Sequence, residues 1–390
     1  MPVIKINSKE QAVKSIQHSH HQDALKKYDD VALVFQGGGA LGSYQAGAYE
    51  ELSKSGIEPT WIAGISIGAL NSAIIAGNPP ELRVEKLKGF WEAICSSPRH
   101  SNPFMDLWTD SLSDASRKWL NNFESKKTMM NGQNNFFSPK FFAMMPFQKG
   151  NPDEISYYDT RKLKDTLLKF ADFDLINKGD IRVSLGVVNV ASGEFSYFDN
   201  TKQVLTPEHF MASGALPPSF PAVKIDGEFY WDGGLVTNTP ILEVINENKS
   251  SNKLVFQIDL WNAQGKLPEN FNDITERTQD IKFSSRHKEI TQNLSDDRKQ
   301  ADMIAQLLAL IPENVKRNNP VCKEAQKFSK MGDFDLIHLT YDDKGYEGHT
   351  KSYEFSSQTM KDHWGSGQED MLNKLKELSL VVKKHNRMKP

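Results

Sequence analysis

Apolar residues run without a break through "VALVF", Val31 to Phe35, reach a cluster of glycines, and give way to a helical stretch that ends near Leu52. A short continuous apolar run of this kind predicts a buried strand, and the glycines predict a tight turn into the helix. The arrangement recurs in "TWIAGISIGALNSAIIAGN", with a strand over Trp61 to Ile65 and a helix of small residues over Ile67 to Ala76. Gly77 suits a helix stop, and Pro79 and Pro80 suit the start of a further helix over Glu81 to Ile94. Two successive strand-then-helix units predict an α/β fold of three layers, α/β/α, around a mostly parallel central sheet.

From Ser96 to about Ser156 the periodic pattern weakens. Here "NNFFSPKFFAMMPF" gathers Phe136, Phe137, Phe141, Phe142, Met144, Met145 and Phe147. Two readings stand for this segment: part of the domain's own core, or a mobile apolar lid over a lipid-sized pocket. Regular structure resumes with a helix at Arg161 to Phe170 and a hairpin-like strand pair around Ser192-Gly193. A second strand pair follows about Asp226-Gly227, then a helix near Pro240 and the strongly β-like "KLVFQIDLW". Beyond Gly265 the chain is charged and helical, with two amphipathic stretches between Asn272 and Leu310, a strand "FDLIHLTY", and a closing helix with the basic tail "KKHNRMKP". The expected organisation is a polar leader over 1–30, a main domain over 31–264 with an insertion at about 96–156, and a mainly helical C-terminal extension over 265–390 packed on it.

The chain has 390 residues, of which 38% are hydrophobic and 25% charged, which leaves room for a sizeable core. A formal net charge of -3 gives no general attraction to nucleic acid, so no nucleic-acid partner is expected. Cys95 and Cys322 allow at most one bridge and stand in no metal-ligand spacing; reduced thiols are expected. The leader holds His18, His20 and His21, a tract that suits either metal binding or simple solvation. No apolar run approaches the roughly 20 residues that span a bilayer, and no signal peptide is visible, so the expectation is a cytoplasmic protein with at most peripheral membrane contact.

The chemistry turns on "FQGGGALG". Gly37, Gly39 and Gly42 satisfy the G-x-G-x-x-G spacing of a dinucleotide phosphate cradle. That cradle also needs an acidic residue about 20 positions on, at the end of the second strand. The second strand ends instead in Gly64-Ile65-Ser66-Ile67-Gly68, a G-x-S-x-G between strand and helix. At such a junction small flanking residues permit a sharp backbone that exposes a serine nucleophile, with the positive helix N-terminus directed at it. A structural turn serine would also fit. If Ser66 attacks an ester, the amides of Gly37, Gly38 and Gly39 are placed to hold the oxyanion. His209, His287, His338, His349 and His363 follow Ser66 as triad candidates, but none stands in a motif. Asp232, in "WDGGLVTNTP" with Gly233 and Gly234 behind it, is the better candidate for the base.

G-G-G-x-x-G, then G-x-S-x-G, then D-G-G, in that order, resembles the patatin-like phospholipases. The resemblance covers roughly Val31 to Leu260 and includes "ASGALPPSFPAV". It implies a patatin-like fold and a Ser-Asp dyad in place of a triad: Ser66 as nucleophile, Asp232 as proton acceptor, and Gly37, Gly38, Gly39 and Gly42 as the oxyanion loop. Gly64, Gly68, Gly233 and Gly234 then support the two catalytic turns. The chain departs from many relatives at Leu41, where a basic residue is usual. The implied activity is hydrolysis of lipid acyl esters, phospholipids included, without cofactor or metal. The remaining readings are acyl or thioester transfer by the same dyad, a dinucleotide- or phosphate-binding module, and a non-catalytic lipid binder. Oligomeric state is not legible.

Overall fold

The computed structural model describes residues 25–95, 113–140 and 149–387. The polar leader up to residue 24, with its three histidines, and Phe141 and Phe142 lie outside the described residues. In chain order the strands are β1 (Asp30–Phe35), β2 (Trp61–Gly64), β3 (Ser138–Pro139), β4 (Tyr158–Asp159), β5 (Arg182–Asn189), β6 (Phe195–Asp199), β7 (Val223–Ile225), β8 (Glu228–Asp232), β9 (Lys253–Asp259) and β10 (Phe334–Thr340). Eight of them form one sheet in the order β10-β9-β1-β2-β5-β8-β7, with β6 also on β5; β3 and β4 form a small pair of their own.

From β10 to β5 all pairings are parallel, and β6, β7 and β8 join antiparallel. The mostly parallel sheet expected from the strand-helix alternation is therefore present, with an antiparallel margin. The margin follows from short connections: Asp226 and Gly227, at φ 50° and 89°, make the tight D-G turn that folds β7 back on β8. Two-residue turns can join only antiparallel neighbours.

Alternation along β1 assigns the faces. Val31, Leu33 and Phe35 point into a large core with the helices Ser43–Lys54, Ile67–Ala76 and Pro80–Cys95. Ala32 and Val34 point the other way, toward Ile241, Val244 and Ile245 of the helix Ile241–Asn246, with Ile290 and Leu294 packed beside them. Both faces are covered, which is why β1 reads as an unbroken apolar run.

The segment beyond residue 265 is mainly helical, yet it is no appendage. β10 pairs with β9 along its whole length and completes the sheet. The closing helix Ser357–Arg387 lies against Ser43–Lys54 at glycine contacts: a Cβ on Gly47 would fall 2.0 Å from the Trp364 carbonyl, and one on Gly367 2.0 Å from that of Tyr44. Tyr44 donates to Asp370 at 2.7 Å and the Trp364 indole to Glu50 at 2.6 Å across the same contact. Within the weakly periodic insertion, the helix Asp114–Asn131, capped by Ser113, was not legible in the sequence, because its apolar residues Trp119 and Phe123 face solvent.

Candidate active site

β5 brings the two ends of the site together. Its residues Ser184 to Val188 pair with β6 on one edge, so β2 and β8 must share the other. β2 runs parallel along Arg182 to Leu185 and stops with Gly64 opposite Leu185; β8 runs antiparallel along Asn189 to Val187 and stops with Asp232 opposite Val187. The C-terminal ends of both strands thus converge on Gly186. Ser66 follows one end, and Asp232 is the other.

Ser66 links β2 to the helix Ile67–Ala76 at φ 57°, ψ −123°, a conformation that strains a residue with a side chain by roughly 1–3 kcal/mol. The glycines of the motif remove the obstacles: a Cβ on Gly64 would come within 2.7 Å of Gly68, and one on Gly68 within 2.5 Å of the Phe35 carbonyl. The Ser66 amide donates to the Ser213 carbonyl at 3.1 Å and to its hydroxyl at 3.2 Å. Ser213, at the end of the helix Pro207–Ser213, in turn donates to the Gly186 carbonyl at 2.8 Å. It therefore ties the elbow to the strand below; Ser213 stands in the segment "ASGALPPSFPAV", but the resemblance assigns it no role.

Asp232 is 2% exposed. Its amide donates to Ala215 at 3.1 Å, and its carboxylate accepts from the Gly234 amide at 2.7 Å. A Cβ on Gly233 would come within 2.6 Å of the Gly186 carbonyl, so only glycine lets the turn lie flat on β5. Burial pushes the Asp232 pKa up to about 7, against hydrogen bonds from the Gly234 amide and the Ser66 side chain that pull it down. The serine and the buried carboxylate therefore line one cavity, with the carboxylate almost wholly out of solvent.

The glycine loop differs from expectation in detail. The Gly37 amide is already used, donating to the Asn238 carbonyl at 3.2 Å, so Gly37 is not a free oxyanion donor. The Gly38 and Gly39 amides donate to no protein acceptor among the described residues. Gly39 has φ 59° and faces the Ser352 carbonyl, which a Cβ would approach to 2.3 Å. Gly42 lies inside the short 3₁₀ turn Gly39–Gly42, where a Cβ would come within 2.5 Å of Ile67, so glycine lets the loop pack closely on the elbow helix. Leu41 is fully buried, so the position at which many relatives are basic belongs here to the core.

A cavity of about 540 Å³ opens at Ser66, Asp232 and the glycine loop. One wall is aromatic: Phe136 and Phe137 pack on Phe220 at 5.9 and 5.3 Å, and Phe136 on Phe355 at 5.8 Å. Phe136 and Phe137 are 7% and 2% exposed and belong to the main hydrophobic core while still facing the cavity. The opposite side comes from the helix Phe271–Phe283, through Ile274, Thr278 and Phe283, and from Ser352 and Tyr353. These contributions lie beyond residue 265, and nothing in their own sequence marks them.

Among the described residues no histidine lines this cavity. His338 and His363 bind Asp259 and Glu347 at 2.7 and 2.6 Å, His287 stacks on His338 at 4.0 Å, and His209 closes a helix capping box with Thr206. Among the described residues no group of three or more His, Cys, Asp or Glu side chains is placed to hold a metal ion.

A strained serine at a strand-helix elbow, beside a buried carboxylate at the end of an antiparallel strand of the same mixed sheet, defines the class: an α/β protein with a serine-elbow site. The family model of patatin-like phospholipases matches residues 33–245, more than half of the chain, and a second model, of patatin phospholipase, matches residues 281–386. The chain belongs to the patatin-like phospholipase family, and at that level it is a lipid hydrolase. Among solved structures it is similar to VipD from Legionella pneumophila, at 16% identity and a TM-score of 0.37, covering 90% of this chain and 67% of that one. It is also similar to human GIVD cytosolic phospholipase A2, at 11% identity and a TM-score of 0.38, covering 95% of this chain and 64% of that one. The chain thus spans about two thirds of the length of either protein, and no residue role is carried across these alignments. No curated protein matches the chain.

Proposed function

We propose that this protein hydrolyses acyl esters of lipids, phospholipids among them, with Ser66 as nucleophile, Asp232 as proton acceptor and the Gly38 and Gly39 amides as the oxyanion hole. The observation that carries the reading is the convergence of β2 and β8 on Gly186, which pairs a strained serine with a buried carboxylate beside amides that lack acceptors. In the first step Asp232 takes the proton of Ser66 Oγ as the oxygen bonds to the acyl carbonyl carbon; the negative charge on the former carbonyl oxygen is held by the two amides. Asp232 then returns the proton to the departing alcohol, leaving an acyl-serine. Water, deprotonated by Asp232, attacks that ester; collapse releases the fatty acid and restores Ser66. A carboxylate of ordinary pKa near 3.9 is a poor base, and the elevated pKa of Asp232 supports this role.

The apolar wall of Phe136, Phe137, Phe220 and Phe355 suits an acyl chain. Leu267 and Phe271 are 90% and 81% exposed, one shortly before and one at the start of the helix that lines the cavity, and such exposed apolar side chains suit shallow insertion into a lipid surface. The reading is tested by incubating the protein with a fluorophosphonate and locating the adduct by mass spectrometry, alongside hydrolysis of phospholipids and short nitrophenyl esters. Labelling of Ser66, lost with both activities in Ser66→Ala, is expected. Ester hydrolysis that survives in Ser66→Ala would remove Ser66 from the mechanism.

A further inference from the structure

The peptide that joins Gly37 to Gly38 is gripped from one side. The Gly37 carbonyl accepts from the Trp261 indole Nε1 at 2.7 Å and from the Asn238 side-chain amide at 2.9 Å, while the Gly37 amide donates to the Asn238 carbonyl at 3.2 Å. In a trans peptide the C=O and the following N–H point in opposite directions. Two donors that hold the Gly37 carbonyl therefore also aim the Gly38 N–H, away from Trp261 and Asn238. Glycine has no side chain to resist rotation of this peptide, so without the two donors the N–H would swing.

The grip is itself anchored. The Asn238 amide and the Gln36 amide both donate to the Phe283 carbonyl, at 3.0 and 2.9 Å. Phe283 ends the helix Phe271–Phe283, and a terminal helix carbonyl has no partner within its own helix. Gln36 accepts from the amides of Leu260 and Trp261 at 2.6 and 3.0 Å, and the Trp261 ring packs on Phe283 at 5.3 Å and under the Lys351 ammonium at 5.0 Å. Lys351 is buried between Asp280 and Asp343, at 2.7 Å from each. The C-terminal segment thus ends, through Phe283 and Lys351, on the two side chains that hold the loop.

We infer that Trp261 and Asn238 are positioning residues that fix the Gly37–Gly38 peptide so that the Gly38 N–H faces the developing oxyanion. The inference rests on the function proposed above and adds to it that the oxyanion hole is preorganised by Asn238 and Trp261, both held in place by the segment beyond residue 260. Preorganised donors gain their effect because they need no reorientation during reaction. Removing either donor should therefore slow the chemical step and spare substrate binding.

Trp261→Phe removes the indole N–H and keeps the ring; Asn238→Ala removes the second donor. For each, kcat is measured per active site, with the sites titrated by fluorophosphonate, together with KM, the pH–rate midpoint and the rate of phosphonylation. The expected result is a kcat per titrated site lower by about tenfold, a parallel fall in phosphonylation rate, and an unchanged KM and pH midpoint. A merely structural role would lower the number of titratable sites and leave kcat per site as it was; that outcome, or a kcat per site within about twofold of wild type in Trp261→Phe, overturns the inference. Should Asn238→Ala fail to fold, Trp261→Phe decides alone. Failure of the underlying reading is separate: the wild-type protein itself would then carry no adduct on Ser66, and the inference would fall with it.

Discussion

Asp232→Asn is expected to abolish ester hydrolysis and to make the protein more stable, increasingly so as pH rises from about 4 to above 7. Burial raises the Asp232 carboxyl from its ordinary value near 3.8 to about 7. A folded pKa above the unfolded one means that the folded protein keeps the proton where the unfolded chain has released it. The stability contributed by the protonated group is thus complete below about pH 4, declines as pH rises, and is lost above about pH 7. At about 1.36 kcal/mol per unit, the shift of roughly three units leaves an ionised Asp232 some 4 kcal/mol worse placed in the folded protein than in water. Asparagine carries no charge to desolvate, and its carbonyl can still accept from the Gly234 amide. With an unfolding entropy of about 2.1 cal/mol/K per residue, a chain of 390 residues converts ~4 kcal/mol into about 5 °C. Differential scanning calorimetry should then show Asp232→Asn melting about 5 °C above wild type at pH 8 and about 2 °C above it at pH 5, with kcat lower by at least ~100-fold. A melting difference that is flat with pH, or a variant less stable than wild type at pH 8, would refute the claim that a buried charge is maintained here for function.

Three further outcomes are expected. The pH profile of kcat/KM for the wild-type enzyme should rise with a single ionisation near pH 7 as Asp232 loses its proton, and a profile still level at pH 5 would exclude Asp232 as the base. Gly39→Ala, which needs φ 59° and brings a methyl group to 2.3 Å from the Ser352 carbonyl, should destabilise the protein by about 2 kcal/mol or more and depress activity, measured by urea unfolding and ester assay. Leu267→Glu with Phe271→Glu, both highly exposed, should weaken flotation with phospholipid vesicles severalfold while leaving hydrolysis of soluble nitrophenyl esters unchanged.

How much of the site could be read beforehand depended on whether each part is a local property. Gly64, Ser66 and Gly68 stand in one strand-helix junction, so their motif is visible in the chain itself, although the Phe35 carbonyl that Gly68 must clear belongs to another strand. Asp232, Gly233 and Gly234 likewise stand together in one turn, as do Asp226 and Gly227 between β7 and β8, although the carbonyl that Gly233 must clear is that of Gly186 on β5. The glycine loop was legible as a loop of free amides, but which amides are free was not: Gly37 is occupied by Asn238, a residue about 200 positions away. Asn238 stands within "WDGGLVTNTP", and its place beside Asp232 was the one available signal. For Phe136 and Phe137, composition alone could not separate a core wall from a lid, because the distinction lies in their contacts with Phe220 and Phe355.

The order of motifs along the chain was enough to define an α/β sheet with a serine elbow, a D-G-G turn and the family to which they belong. That Ser66 meets Asp232 is a matter of register: β2 and β8 share one edge of β5, and each stops one residue short of Gly186. The part played by residues 271–283 and 350–355 was likewise decided by packing, since their polar and apolar alternation states only that they are half buried, not against what. Hydrogen bonds of the glycine loop, desolvation of the carboxylate and the walls of the cavity all depend on chain segments far apart in sequence, and those meet only when the sheet closes over its two layers of helices.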